Sequence, residues 1–155
     1  MALLLLRQEV MAPLLVRDLM TRSPHTIGVT LSLADAAKLM KKHKIRHLPV
    51  LEGGALVGVV SDRDVQMISS ISELDPSCIL VEDAMTQVPW TVAPATPVRE
   101  VARLMAEKKL GSAVVLERDK VVGVFTTTDG MRCLAELLGD GKAKPAPKAK
   151  KVKKA

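Results

Sequence analysis

Aromatic side chains are nearly absent from this 155-residue sequence. It contains one tryptophan, Trp90, one phenylalanine, Phe125, and no tyrosine. Hydrophobic residues nevertheless make up 48% of the chain, and this length is sufficient for one compact domain or two small intertwined ones. The core must therefore be built from leucine, valine, isoleucine, methionine and alanine.

Side chains that carry catalysis or bind metals are equally scarce. Cys78 and Cys133 are the only cysteines, and they fit neither a disulfide framework nor a metal-ligand spacing. The three histidines, His25, His43 and His47, form no catalytic pattern, and the chain has no nucleophile–base pair and no Walker loop. We therefore expect no enzyme, no catalytic residue, no metal site and no cofactor.

Long hydrophobic runs are also missing. The most apolar stretch is at the N-terminus, where residues 2–6 have neither a basic region before them nor a cleavage site after them. No segment approaches the ~20 apolar residues of a membrane span. The sequence predicts a soluble, cytoplasmic protein without membrane contact and with an N-terminal extension over residues 1–13. Whether Met1 or Met11 is the biological start stays open.

The net charge of +6 comes from one end of the chain. Seven lysines lie in the last fourteen residues, which leaves 16 of the 23 basic residues against 17 acidic ones. The segment 139–155 is rich in lysine, alanine and proline, a composition typical of disorder. It is expected to act as a solubilising tail or to make weak, non-specific electrostatic contacts with nucleic acid.

An internal duplication with a period of 65 residues organises the rest of the sequence. Residues 16–64 align without a gap on residues 81–129. The strongest match joins Gly-Val-Val-Ser-Asp-Arg-Asp at 58–64 to Gly-Val-Phe-Thr-Thr-Thr-Asp at 123–129. We divide the chain into repeat 1 at 14–70, a linker at 71–79 that contains Pro76, and repeat 2 at 80–138.

Both repeats show the same order of hydrophobic patterns. A short helical turn precedes a strand, a helix, two strands and a final helix, which predicts an α/β (α+β) fold. In repeat 1 the main elements are predicted at 26–29, 32–43, 47–51, 56–60 and 61–70, and the helical stripe contains Leu33, Ala36, Ala37 and Met40. In repeat 2 the strands are predicted at 112–116 and 121–125, with a helix capped by Thr96 and a last helix over 126–138. Neither repeat can bury its sheet alone, so the two should pack together.

The repeated motif allows two interpretations. Ser61 with Asp64, and Thr126 with Asp129, have the spacing of a helix-capping box. The motif glycine is not explained by capping, because glycine within a strand usually marks a close approach of backbone or ligand. A helix N-terminus also favours an anion, and an aspartate can accept two hydrogen bonds from a ribose diol. The motif is therefore a candidate both for a cap and for a nucleotide clamp.

These features together resemble a tandem pair of cystathionine-β-synthase (CBS) domains, often called a Bateman module, over about residues 14–138. The resemblance rests on the two Gly-x-x-Ser/Thr-x-x-Asp motifs, on Asp-Leu-Met-Thr at 18–21 with Asp-Ala-Met-Thr at 83–86, and on Arg-His-Leu-Pro-Val at 46–50. It implies a pseudo-twofold module that binds an adenosine-containing ligand such as AMP, ADP, ATP or S-adenosylmethionine. It also implies a homodimer and a regulatory effect on a partner protein.

The resemblance further implies two clefts, each combining strands of one repeat with the motif of the other. One cleft would contain Thr26, Ile27, Arg46, His47 and Leu48 together with Thr126 and Asp129. The other would contain Thr91, Val92, Gly111, Ser112 and Ala113 together with Ser61 and Asp64. In each, the aspartate is expected to hold the ribose, the hydroxyl a phosphate or ribose oxygen, and the strand backbone the adenine edge.

Several side chains near these clefts stay open to two interpretations. Arg46 and His47 suit a phosphate, but they are also typical of a solvated strand. Trp90 could stack on a base or simply pack half-buried, and a local ion pair with Asp64 is the simpler interpretation of Arg63. The alternative functions are a nucleic-acid-associated protein acting through the lysine tail and a purely structural dimerisation module. The sequence leaves open which ligand binds, whether both clefts are filled, and which effector protein responds.

Overall fold

The protein was analysed as a computed structural model, which describes residues 12–71 and 73–139. Most of the predicted N-terminal extension and nearly all of the lysine-rich tail lie outside these residues. The helices are α1 Val16–Leu19, α2 Leu33–His43, α3 Asp62–Ser69, α4 Val81–Ala84, α5 Val98–Lys108 and α6 Thr127–Leu138. The strands are β1 Thr21–Arg22, β2 Ile27–Gly28, β3 His47–Glu52, β4 Ala55–Ser61, β5 Thr86–Gln87, β6 Thr91–Val92, β7 Ser112–Glu117 and β8 Lys120–Thr126.

The predicted strand–helix–strand–strand–helix unit is confirmed in both repeats, as β2-α2-β3-β4-α3 and β6-α5-β7-β8-α6. The stripe on α2 buries Leu33, Ala36 and Met40, as its 3.6-residue periodicity indicates. The prediction of Thr96 as a cap is wrong. Pro97 is the N-cap of α5 and has an extended backbone (φ −62°, ψ 131°), so the helix begins one residue later than expected.

The two sheets exchange strands between the repeats. The strand order is β2-β3-β4-β5 in one sheet and β1-β8-β7-β6 in the other. Strand β1 of repeat 1 therefore completes the sheet of repeat 2, and β5 of repeat 2 completes the sheet of repeat 1. Both pairings are antiparallel and two residues long, whereas β2 and β6 run parallel to their neighbours. The exchange was not predicted, because two-residue strands carry no periodicity.

The hydrophobic cores follow the same exchange. One core is built from β2, α2, β3 and β4 and also contains Val81 from α4 of the other repeat. The second core gathers α5, β7 and β8 around Phe125 and contains Val16 from α1. Val81 and Val16 are fully buried, so each repeat supplies an anchor to the other repeat's core. This arrangement satisfies the expectation that neither sheet is covered by its own repeat alone.

The motif glycines are explained by this exchange. A Cβ atom on Gly58 would overlap the Met85 sulfur and lie 3.0 Å from the carbonyl oxygen of Thr86. A Cβ atom on Gly123 would meet Met20 in the same way. The glycine of each motif thus makes room for the Asp-x-Met-Thr segment of the other repeat.

No helix in the described part of the chain is long and apolar enough to cross a membrane.

Candidate functional site

Both motifs form capping boxes at the start of a helix. In the first, the backbone amide and the hydroxyl of Ser61 each donate to Oδ2 of Asp64 over 2.7 Å, and the Asp64 amide donates to the Ser61 hydroxyl over 3.3 Å. Thr126 and Asp129 repeat this geometry at the start of α6, with distances of 2.8, 2.7 and 3.3 Å. The capping interpretation is confirmed, and each acid is held in a fixed orientation.

Strand register brings the start of β3 to the first motif. His47 pairs with Ser61 across β3 and β4, and the amide of Asp62 donates to the carbonyl of Arg46 over 2.9 Å. The His47 ring also reaches repeat 2, since its Nε2 lies 3.2 Å from the position that a Cβ atom on Gly111 would take. Only glycine leaves this space without displacing the imidazole.

A cleft of about 740 Å³ opens where these elements meet. In repeat 1 its walls come from the start of β3, the end of β4 and the start of α3. In repeat 2 they come from the start of β5, the segment before β6, the end of α5 with the loop after it, and the first residues of β7 and α6. The lining residues are Arg46, His47, Val59, Ser61, Asp62, Arg63, Asp64, Gln66, Thr86, Pro89, Trp90, Met105, Ala106, Lys109, Leu110, Gly111, Ser112 and Thr127. The volume lies within the range of small-molecule sites.

Six of the residues expected from the sequence line this cleft. They are Arg46, His47, Ser61, Asp64, Gly111 and Ser112. The structure therefore joins Arg46 and His47 to the residues of the other predicted cleft. The reason is the β3–β4 hairpin, which holds the start of β3 beside the motif of its own repeat.

The other eight expected residues do not line it: Thr26, Ile27, Leu48, Thr91, Val92, Ala113, Thr126 and Asp129. Ile27, Leu48 and Ala113 are buried in the two cores. Any polar contact that these three make with a ligand must therefore come from their backbone.

Two further side chains line the cleft, although the sequence did not place them among the predicted site residues. Trp90 is half-buried, packs against the second core and also lines the cleft, so both interpretations of this residue fit its position. Lys109 follows α5 in the left-handed conformation (φ 54°). Lys44 occupies the equivalent place after α2, and this repetition was the available sequence signal for Lys109.

Cationic side chains outnumber carboxylates around the cleft. The lining includes the cations Arg46, Arg63 and Lys109 and the carboxylates Asp62 and Asp64. The expected ion pair between Arg63 and Asp64 is wrong, because the described residues contain only three salt bridges and Arg63 is in none of them. The guanidinium groups remain available for an anion.

The imidazole of His47 favours its neutral form. Burial lowers the pKa of His47 below its usual value, and the charge on Arg46 lowers it further. Asp64 acts in the opposite direction, but burial is the larger influence. A neutral ring has one nitrogen donor and one acceptor and can hydrogen-bond a polar ligand.

The two motif aspartates differ in their second oxygen. Oδ1 of Asp129 accepts a hydrogen bond from Arg132 over 3.3 Å. For Asp64, only Oδ2 accepts hydrogen bonds among the described residues, and its half-buried side chain lines the cleft. Asp64 therefore has an acceptor oxygen to offer a ligand.

This combination is suited to binding. An aromatic face, an oriented carboxylate and three cations can hold a base, a diol and a phosphate. The described residues contain no group of three side chains able to hold a metal ion.

Comparison with known proteins gives a consistent result. The model of the CBS domain family matches residues 16–69 and 81–136. Inosine-5′-monophosphate dehydrogenase of Korarchaeum cryptofilum is 36% identical over 116 residues, which are 74% of this chain and 22% of that protein. The chain thus spans about a fifth of the length of the first curated relatives that it matches.

Two solved structures are similar over nearly their whole length. The CBS domain pair of protein MJ0100, in complex with 5′-methylthioadenosine and S-adenosyl-L-methionine, is 28% identical with a TM-score of 0.74, covering 81% of this chain and 98% of that one. CBSX2 of Arabidopsis thaliana, in complex with AMP, is 30% identical with a TM-score of 0.68, covering 79% and 97%. The twofold match of the family model and these structures lead to one conclusion: the chain belongs to the CBS domain family and carries two copies of the domain.

Proposed function

We propose that this protein is a regulatory module that binds an adenosine-containing ligand in the 740 Å³ cleft and signals its occupancy to a partner protein. The observation that carries the proposal is the free Oδ1 of Asp64 in a cleft that also contains Trp90 and three cations. The adenosine ligands of the similar CBS pairs support it.

Each part of an adenosine nucleotide has a matching group in the cleft. Oδ1 of Asp64 accepts from the ribose hydroxyls, while Oδ2 keeps its two hydrogen bonds to Ser61. Trp90 offers its indole face to the base, a contact worth about 0.5–1.5 kcal/mol for aromatic pairs beyond the buried area. Arg46, Arg63 and Lys109 then bind phosphate oxygens through charge-assisted hydrogen bonds.

The charge of the cleft favours nucleotides over S-adenosylmethionine. Three cations outnumber two carboxylates, and a sulfonium ion gains nothing from arginine or lysine. We expect AMP, ADP or ATP to bind more tightly than S-adenosylmethionine. The preference should weaken as salt screens the exposed charges.

Isothermal titration with AMP, ADP, ATP and S-adenosylmethionine tests the proposal, with Asp64→Asn as the main variant. Losing one hydrogen bond to a charged acceptor costs about 1.5–3 kcal/mol. Since 1.4 kcal/mol is a factor of ten in affinity, binding should weaken by about ten- to a hundredfold.

The Ser32 cap of α2, whose hydroxyl also bonds an aspartate three residues on, provides the matched control. Asp35 accepts from the Ser32 hydroxyl over 2.7 Å at the start of α2, as Asp64 does at α3, but it does not line the cleft. Asp35→Asn should remove a similar cap and leave ligand affinity unchanged. Equal affinities for wild type and Asp64→Asn, or an equal loss in both variants, would contradict the clamp.

Assembly follows from an exposed apolar stripe on α6. Leu137 and Leu138 are 66% and 72% exposed, and Met131 and Leu134 lie on the preceding turns. A stripe of this kind usually marks an interaction surface. We propose that two copies of the chain cover it in a homodimer, so that ligand binding in one copy is felt at the interface. The partner protein that responds to the ligand should co-purify with this chain to a different extent in the presence and absence of ligand.

A further inference from the structure

The duplicated topology predicts two equivalent clefts, but the side chains of the two repeats make these two places different. We infer that only the cleft at Asp64 binds ligand and that the equivalent place at Asp129 is closed by the protein's own side chains. This inference rests on the proposed function, because it assigns the stoichiometry of the same ligand class. It replaces the symmetric pair of sites that the duplication predicts.

Cavity shape gives the first argument. Six residues of the open cleft have counterparts, 65 positions earlier, that line a hollow of about 480 Å³: Met40, Lys41, Lys44, Ile45, Arg46 and Asp62. Only Ala37 completes that lining. The hollow therefore keeps the wall formed by α2 but includes neither Asp129 nor His25, the counterparts of Asp64 and Trp90.

Both carboxylate oxygens of Asp129, the counterpart of Asp64, already accept hydrogen bonds within the protein. Oδ2 of Asp129 accepts from the amide and hydroxyl of Thr126, and Oδ1 accepts from Arg132. The side chain is only 9% exposed. At the open cleft the residue equivalent to Arg132 is Met67, whose side chain has no hydrogen-bond donor. A ribose can therefore reach a free carboxylate oxygen at Asp64 and must displace a guanidinium at Asp129.

The aromatic position is occupied as well. His25 takes the place of Trp90 in repeat 1, and its ring stacks on His43 with the centroids 3.6 Å apart and the planes 24° from parallel. The residue equivalent to His43 in repeat 2 is Lys108, so Trp90 has no such partner ring on α5. One face of His25 is covered by this stack and cannot receive a base.

Titration of the full chain with AMP tests the inference. We expect one molecule bound per chain. Asp64→Asn should weaken this single step by at least about tenfold, and Asp129→Asn should leave both its affinity and its stoichiometry as in wild type. Two molecules per chain, or a loss of affinity in Asp129→Asn, would overturn the inference and leave the proposed function standing. No binding of any adenosine ligand would instead refute the proposed function and, with it, this inference.

An exchange of counterpart residues tests the closure itself. His25→Trp with Arg132→Met gives the closed place the aromatic residue of the open cleft and removes the guanidinium from Asp129, and it should raise the stoichiometry from one to two. The reciprocal change, Trp90→His with Met67→Arg, should abolish the single step. Thermal melting confirms that each variant is folded. A folded first variant that still binds one molecule would show that these contacts do not close the cleft.

Discussion

Replacing Gly58 by alanine tests the contact on which the exchange of segments between the repeats depends. The new Cβ would overlap Sδ of Met85 and lie 3.0 Å from both Cγ of Met85 and the backbone oxygen of Thr86. The Met85 side chain must leave its place, and the backbone oxygen has little room to move, because it belongs to β5, which pairs with β4 at this position. The substitution therefore pushes β5 away from its sheet.

The cost follows from the overpacking of a well-filled site. Such substitutions destabilise by about 1–3 kcal/mol. For a chain of this size each kcal/mol lowers the melting temperature by about 2–4 °C. We expect Gly58→Ala to melt roughly 2–12 °C below wild type. Gly123→Ala should behave alike, because its Cβ meets Met20 and the Thr21 oxygen in the same arrangement.

The chain supplies a matched control. Gly28 lies in β2, and a Cβ there meets nothing within 4 Å, so Gly28→Ala should be neutral or stabilise by up to ~1 kcal/mol through the unfolded state. Combining Gly58→Ala with Met85→Ala should lower the free energy of unfolding by less than the sum of the single changes, since the shortened side chain at 85 leaves room for the new Cβ at 58. Thermal or urea unfolding measures all five variants. Full additivity, or a Gly58→Ala protein as stable as wild type, would refute the packing argument.

Four further outcomes are expected. Since Trp90 is the only tryptophan, AMP should change the intrinsic fluorescence, and Trp90→His should weaken binding about ten-fold or less; an unchanged spectrum at saturation would remove Trp90 from the site. Light scattering should give a mass near twice 16.7 kDa for the wild type and a smaller one for Leu137→Glu, whereas a monomeric wild type would exclude the homodimer. Burial lowers the pKa of His47 in the folded protein, so on acidification the unfolded state binds a proton at a higher pH than the folded state does, and the free energy of unfolding should fall below about pH 6.5. His47→Ser should reduce this fall in urea unfolding measured against pH, and an unchanged fall would assign it to other groups. The seven tail lysines should give weak duplex-DNA binding with a log–log salt slope of roughly −5 to −6, absent after deletion of 140–155; sequence-specific binding without the tail would contradict this.

Local features of the fold could be predicted because they depend on neighbours in the chain. The stripe of Leu33, Ala36 and Met40 shows the 3.6-residue period of α2, and continuous apolar runs mark the long strands, such as the run of three buried residues over 48–50 in β3. The capping boxes are local too, since each joins residues three positions apart. The duplication then extended every local prediction from one repeat to the other.

The candidate site could be predicted only in part. Ser61, Asp64, Gly111 and Ser112 were expected together and do line one cleft. Arg46 and His47 were assigned elsewhere, because the β3–β4 register that places His47 beside Ser61 is a pairing across the hairpin. Lys109 carried no local signal beyond its repetition at Lys44.

What the sequence determined alone is the duplicated unit, its helices and long strands, and the two caps that start α3 and α6. Tertiary structure decided which sheet receives β1 and β5, because two-residue strands are fixed by their partners rather than by any pattern of their own. It also decided that the two halves are unequal at their aromatic positions, because contacts between separate segments of the chain are set by packing and not by any local pattern. Trp90 lines the open cleft, whereas the ring of His25 stacks on that of His43 with the centroids 3.6 Å apart.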